Sequence, residues 1–153
     1  MRSSRGNSDA DGAPSIARRF LKPYSRPTDA FLDRDLAKLG DALLNLIYSL
    51  SLSISEGEPR GRKLPNSILS KALETSRHAD LIPRRSDRHR RGDIVEAALA
   101  YAWLIGGLSI AESARMVAKE ASKGEGTHSE RYSRAFSRLI DDTLDDLGID
   151  SGV

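Results

Sequence analysis

The segment that most constrains the fold of this chain is a helix predicted over residues 92–106. After Glu96 it reads AALAYAWLI, which puts apolar side chains on every face of a helix. Such a helix lies in the middle of a domain, where other elements cover it on all sides. The full apolar run, residues 97–111, has 15 residues, fewer than the ~20 that a bilayer-spanning helix needs. We therefore expect a buried core helix and no membrane partner.

A second strong helix is predicted over residues 35–55. Its apolar side chains fall within about 80° of one another on a helical projection, and they are Leu36, Leu39, Leu43, Leu46, Ile47 and Leu50. Asp41 projects about 140° from the centre of this stripe. Taken alone, that position predicts a solvated charge on the back of an amphipathic helix.

Three further helices are predicted over residues 66–76, 109–122 and 130–148. Asn66 is expected to cap the first of them, and Ser109 with Glu112 has the spacing of a capping box for the second. No segment of adequate length shows strand alternation, so the predicted class is all-α. We expect one helical domain over residues 27–150, preceded by a disordered, basic arm over 1–26.

The composition excludes several kinds of site. The chain has 153 residues and no cysteine, so disulfides and thiol chemistry are excluded and a reducing cytoplasm is the expected compartment. His78, His89 and His128 are too widely spaced to indicate a catalytic triad or a zinc site. Only 5% of the residues are aromatic, which argues against a base-stacking platform for single strands.

Three carboxylates are the candidate functional residues. Asp93 and Glu96 are three residues apart in the first turn of the apolar helix, so they point the same way. They could serve only as favourable charges at a helix N-terminus. If the two strong helices pack side by side, Asp41 joins them. Carboxylates grouped in this way suit Mg²⁺ or Mn²⁺, and metal-bound water beside a phosphodiester permits hydrolysis.

Basic residues precede the acid pair and fill an earlier loop. Although 30% of the residues are charged, the net charge is only +2, so charge has to be examined locally. Positive charge beside a metal site suits phosphate binding, and the alternative is that these residues are solvated or neutralise nearby acids. The candidate residues for binding a phosphate backbone are Arg60, Arg62, Lys63, Arg84, Arg85, Arg88, Arg90 and Arg91.

The two strong helices resemble the motifs of one known family. LAKLGDALLNLIYSL resembles the first motif of the ribonuclease III catalytic domain, and RRGDIVEAALAYAWL resembles the second. The segment LPNSILSKALETSRHADLIPRR resembles the family's connecting segment, and the likeness covers residues 33–106. The resemblance implies an all-helical, homodimeric endonuclease that cleaves double-stranded or structured RNA with Mg²⁺. By this carry-over Asp41, Asp93 and Glu96 are metal ligands, and Asp41 and Glu96 are catalytic.

The chain departs from the family pattern in three ways. The family usually has a Glu four residues before the first Asp, where this chain has Ala37. Asp33 or Asp35 could replace that acid only if the helix begins late. Lys38 stands where an apolar or aromatic residue normally helps the dimer interface. No double-stranded-RNA-binding domain is recognised after residue 107. The mini-ribonuclease III group shares this feature and also has a small residue at the position of Ala37.

Two other functions stay open from the sequence. One is a catalytically inactive, RNA-binding dimer that has kept the fold. The other is a helical protein-interaction module whose acids only cap helices. A dimer is also indicated by the residues themselves, because the stripe 36–50 and the apolar helix 94–105 carry more apolar surface than the short flanking helices can cover.

Overall fold

The computed structural model describes residues 19, 21–81 and 88–149. Over this part of the chain the prediction of an all-α fold is confirmed, since helices and turns occur and no strand does. The helices are α1 (Pro27–Ala30), α2 (Arg34–Glu56), α3 (Asn66–Thr75), a 3₁₀ turn (Ala79–Leu81), α4 (Arg88–Leu104), α5 (Ile110–Lys123) and α6 (His128–Asp146). None of the described helices is both long enough and apolar enough to cross a membrane.

Helix α4 is the centre of the fold, as its apolar sequence predicts. Helices α1, α2, α3 and α6 all pack against it. Ala97, Leu99, Ala100 and Ala102 have no exposed surface. The helix begins at Arg88, one turn earlier than predicted, and ends just before Gly106, whose φ of 84° is a left-handed conformation that glycine adopts easily.

Helix α2 crosses α4 at Gly40. A Cβ atom on Gly40 would lie 1.9 Å from the carbonyl oxygen of Glu96, so only glycine lets the two backbones approach this closely. Phe31, just before α2, contacts Tyr101 near the end of α4, with ring centroids 6.5 Å apart. The two helices are therefore antiparallel, and the crossing brings the residue after Gly40 beside Glu96.

The predicted apolar stripe of α2 is divided between core and surface. Leu36, Leu43 and Ile47 are buried, whereas Leu39, Leu46 and Leu50 are 37–45% exposed. The buried face is rotated towards Gly40, Leu44 and Tyr48, because α2 packs against α4 and α5 together. The expectation that α4 also has uncovered apolar surface is wrong for most of its length, since residues 97–100 are at most 2% exposed.

Helices α5 and α6 complete the core, because α5 packs against α2 and α6 packs against α3 and α5. Tyr48 of α2 packs edge-on against Tyr132 of α6, and its hydroxyl lies 2.7 Å from Nε2 of His128. The Ser109 cap of α5 is confirmed, because its hydroxyl accepts a hydrogen bond from the Glu112 amide.

Two predicted helix starts need correction. The N-cap of α3 is Pro65, so Asn66 is the first helical residue and not the cap. Helix α6 begins two residues earlier than predicted, because Thr127 and Glu130 form a capping box that closes its first turn.

Two acidic residues near the end of α6 form contacts with the segment that follows α3. Asp141 accepts a hydrogen bond from Ser76, and Asp145 lies 3.0 Å from Nε2 of the buried His78.

Candidate functional site

An open cleft lies beside the crossing of α2 and α4. Its volume is about 350 Å³, and its third wall comes from the loop before α3 and from the first residue of that helix. The cleft is lined by Arg34, Ala37, Lys38, Asp41, Lys63, Asn66, Asp93 and Glu96. All three carboxylates named from the sequence therefore line one cleft.

The carboxyl groups of Asp41 and Glu96 lie close together in the cleft, where a proton on Glu96 would let it donate a hydrogen bond to Asp41. Glu96 is only 5% exposed, whereas Asp41 is half-buried. Burial, the hydrogen bond with Asp41 and the charges of Asp41 and Asp93 raise the pKa of Glu96 to about 8, against a smaller opposite effect of Lys63. Asp41 is thus not a solvated charge on the back of its helix.

The donor set fits a hard divalent cation. Mg²⁺ is usually held by one or two carboxylates and keeps several waters, so Asp41 and Glu96 supply the required ligand type. A cation between them would replace a proton on Glu96 and favour the carboxylates in their charged form. Asp93 is exposed on the same wall. In the described part of the chain, however, no group of three or more His, Cys, Asp or Glu side chains is arranged to hold one ion.

Three cations line the cleft together with the acids. They are Arg34, Lys38 and Lys63, and all three are exposed. Among the residues that the structure describes, none of the three forms a salt bridge with Asp41, Asp93 or Glu96. Their charges are therefore available to an anion that enters the cleft. Arg34 and Lys38 were not among the candidates from the sequence, because each looks like an ordinary solvated residue of an amphipathic helix.

A row of polar side chains on α2 fixes the loop that carries Lys63. Asn45 Oδ1 accepts from the Leu64 amide at 2.8 Å, Ser49 Oγ accepts from the Arg62 amide at 2.9 Å, and Ser53 Oγ accepts from the Arg60 amide at 2.8 Å. The three side chains are four residues apart, so they follow one face of the helix. The loop is thus held along α2, and Lys63 is held at the cleft.

The other predicted RNA-binding residues have different surroundings. Arg60 forms salt bridges with Glu56 and Glu58, and Arg91 lies 3.5 Å from Glu74. Arg62 is exposed, and Arg90 lines a small pocket that adjoins the cleft and includes Asp93. Arg84 and Arg85 lie outside the described residues, as does the side chain of Arg88.

Neither Asp33 nor Asp35 lines the cleft. Asp33 is the N-cap of α2, and it accepts hydrogen bonds from the Asp35 amide at 2.9 Å and from the Tyr24 hydroxyl at 2.5 Å. Burial acts to raise the pKa of Asp33, but hydrogen bonds from Tyr24, Asp35 and Lys22 outweigh it and lower that pKa. Ala37 does line the cleft, and it is buried. In this structure no acid from the start of α2 takes its place.

Sequence reasoning missed Gly40 as a residue of the site. Asp41 and Glu96 meet because the preceding glycine allows their helices to touch, and any side chain there would push the helices apart. A glycine inside a strongly periodic helix was the available signal, since glycine costs about 1 kcal/mol relative to alanine in such a position. It marks a close approach of two backbones.

A protein-family model matches most of the chain. The model of a protein family described as Ribonuclease III matches residues 34–149, which include α2 to α6 and every described residue that lines the cleft. Comparison with individual curated proteins gives no match, so the family model alone carries the assignment. Because the match spans well over half of the sequence, the chain belongs to the Ribonuclease III family.

Proposed function

We propose that this chain is a divalent-metal-dependent endoribonuclease that hydrolyses phosphodiester bonds in double-stranded or structured RNA. The observation that carries the proposal is the meeting of Asp41, Asp93 and Glu96 in one cleft, beside the close crossing of α2 and α4 at Gly40. Carboxylates placed this close together repel each other when both are charged, and a bound cation would compensate that repulsion.

The proposed ligands of Mg²⁺ or Mn²⁺ are Asp41 and Glu96, with Asp93 as a third. When bound, such an ion lowers the pKa of a water ligand and stabilises negative charge that develops on the phosphate. Glu96 is the more buried ligand, so its orientation is fixed by α4 and its loss leaves the largest gap in the site. Asp41 and Glu96 are the catalytic residues of this proposal.

The cations of the cleft are the proposed phosphate contacts. Arg34, Lys38 and Lys63 line the same cleft as the acids, so a phosphodiester that reaches the carboxylates also meets these three charges. Contacts of this kind bind the RNA backbone regardless of sequence, in agreement with recognition of A-form shape. Arg62 and Arg90 extend the basic surface. We expect little from Arg60 and Arg91, because acidic residues already pair with both.

A homodimer is part of the proposal. Helix α2 exposes an apolar stripe made of Leu39, Leu46, Leu50 and Ile54, each at least 37% exposed. The spacing of seven, four and four residues puts these side chains on one face, and a continuous apolar face on a soluble domain indicates a partner. A second copy could cover this face with its own stripe, since a twofold interface is self-complementary.

The proposal is tested by cleavage of a long, perfect RNA duplex. We expect products with Mg²⁺ and none with EDTA. Glu96→Gln should reduce the cleavage rate by about 100-fold or more while the fold is retained, because Gln keeps the shape but cannot supply a charged ligand. The measurement is the initial rate at saturating RNA and Mg²⁺, with the far-ultraviolet circular dichroism spectrum as the check of folding.

The matched control is Glu112→Gln, the same chemical change on the exposed face of α5. It should leave the rate unchanged, because Glu112 is not in the cleft. Undiminished cleavage by Glu96→Gln would rule out the proposed catalytic role.

A second candidate function is an RNA-binding dimer without catalytic activity. Ala37 favours it, because no acid takes its place in the cleft and no three described acidic or histidine side chains are arranged around one ion. This candidate predicts duplex binding that weakens as salt increases, with no product formed with Mg²⁺ or Mn²⁺. The same cleavage assay separates the two functions.

A further inference from the structure

A second groove lies between α3 and α6, outside the carboxylate cleft. The two helices run parallel. Thr75 near the end of α3 contacts Ser137 in the middle of α6, with 3.2 Å between their hydroxyl oxygens, and the next residue, Ser76, contacts Asp141 one turn further along α6. The helices touch at the Thr75–Ser137 hydrogen bond, and the groove opens from there towards their N-termini.

The groove is built from polar side chains. Its volume is about 410 Å³, and it is lined by Ser67, Lys71, Thr75, Ser129, Glu130, Ser133 and Arg134. Ser133 is only 6% exposed, and within the described part of the chain its hydroxyl has no hydrogen-bond partner. Because Ser133 lines the groove, its hydroxyl can reach a ligand that binds there.

The charge of the groove is positive where a ligand could contact it. Lys71 is exposed and forms no salt bridge with any described residue. Arg134 donates to the carbonyl of Glu125 at 2.7 Å and keeps its charge. The carboxylate of Glu130 accepts from the Thr127 amide at 2.9 Å, so it is engaged in the cap of α6. No side chain caps α3, and the positive ends of both helix dipoles are at this end of the groove.

The groove and the cleft lie at the same end of α3. Asn66 lines the cleft, and the next residue, Ser67, lines the groove. The first turn of α3 therefore contributes to both surfaces. Both surfaces offer cations and hydrogen-bond donors, which are what phosphate oxygens accept.

We propose that the groove between α3 and α6 is a second backbone-binding site, which holds a phosphate of the RNA strand that leaves the cleft. Lys71 and Arg134 supply the charge, and the hydroxyls of Ser67, Ser129 and Ser133 donate to phosphate or ribose oxygens. This site rests on the proposed function, since its ligand is the same RNA. It binds substrate and takes no part in the chemical step.

The test compares Lys71→Glu with Lys119→Glu, the same charge reversal on an exposed residue of α5. Affinity for a short RNA duplex is measured in EDTA over a series of salt concentrations, and cleavage is measured with Mg²⁺. We expect Lys71→Glu to raise the Kd about tenfold or more and to reduce the slope of log Kd against log salt by about one. It should raise KM and leave kcat unchanged. Lys119→Glu should leave the slope and KM unchanged.

A second variant separates RNA binding from folding. Ser129→Asp adds a negative charge in the first turn of α6, where a carboxylate favours the helix dipole, so the melting temperature should stay the same or rise. The same charge repels phosphate, so RNA affinity should fall. A stable protein with weakened binding supports the site.

The measurements distinguish a failure of the groove proposal from a failure of the proposed function. If the unmodified protein binds the duplex and both Lys71→Glu and Ser129→Asp bind it equally well, the groove is not an RNA site, while the proposed function stands. If the unmodified protein binds no RNA and cleaves none, the groove proposal and the proposed function are both overturned.

Discussion

At the scale of single residues, Glu96 links stability to pH. With a folded pKa of about 8 against the ordinary 4.5, Glu96 keeps its proton between these pH values only when the protein is folded. In that window the unfolded chain binds fewer protons, so the free energy of unfolding falls as pH rises from about 5 to about 8. At pH 8 the metal-free protein should therefore be less stable than it would be with an uncharged side chain at position 96.

Glu96→Gln tests this directly, because Gln resembles the protonated side chain. In EDTA at pH 8–9 the variant should be more stable than the unmodified protein by roughly 1–4 kcal/mol, since one pKa unit corresponds to about 1.4 kcal/mol. At pH 4–5 the two should be nearly equal. The measurement is thermal or urea unfolding at both pH values. If the variant is less stable than the unmodified protein at pH 9, other groups of the protein must stabilise the charged form of Glu96 in the absence of metal.

At the scale of elements, the crossing of α2 and α4 depends on Gly40. Gly40→Ala should lower the free energy of unfolding by about 1–3 kcal/mol, because the new Cβ would lie 1.9 Å from the Glu96 carbonyl oxygen and must separate the helices. The same separation moves Asp41 from Glu96, so duplex cleavage should fall as well. Urea unfolding and the cleavage rate are the two measurements.

Gly92→Ala is the matched control for the helix crossing. Gly92 is also a buried helical glycine, but its nearest contact would be Asn66 Oδ1 at an ordinary 3.8 Å. Alanine there should be neutral or stabilise the protein by up to about 1 kcal/mol through helix propensity. Equal effects of the two alanines would show that the close approach at Gly40 is not what positions the site.

At the scale of the whole molecule, the proposed homodimer has the exposed stripe of α2 as its interface. Sedimentation at micromolar concentration should show a dimer, and Leu46→Lys should shift it to a monomer without loss of helical structure. Leu46 is 45% exposed in the single chain, so lysine costs little in the monomer and places a charge in the buried interface of the dimer.

Ile105→Lys is the control for assembly. Ile105 has an exposure of 37%, and it follows the last residue of α4 and is not part of the stripe. The Ile105→Lys variant should therefore remain a dimer. A monomeric unmodified protein would contradict the dimer proposal, and the exposed leucines would then need another partner.

The sequence by itself determined the helices and the candidate acids. Hydrophobic periodicity is local, so it predicts the class, the central position of α4 and the shared direction of Asp93 and Glu96 from a few residues each. The Ser109 cap followed from a local pattern in the same way. The errors at α3 and α6 were also local, because Pro65 and the Thr127–Glu130 box were overlooked as starts.

Only the tertiary structure decided which flank of α2 is buried and which charges are free. Periodicity indicates which residues share a helix face. Which flank of α2 is buried depends on the helices that pack on both sides of it. The same packing brings Asp41 beside Glu96, because Gly40 allows the close approach of α2 and α4. Likewise, Arg60 and Arg91 resemble Lys63 in the sequence. They differ because ion pairs depend on distances in space, and these two arginines lie near glutamates while Lys63 lies at the cleft.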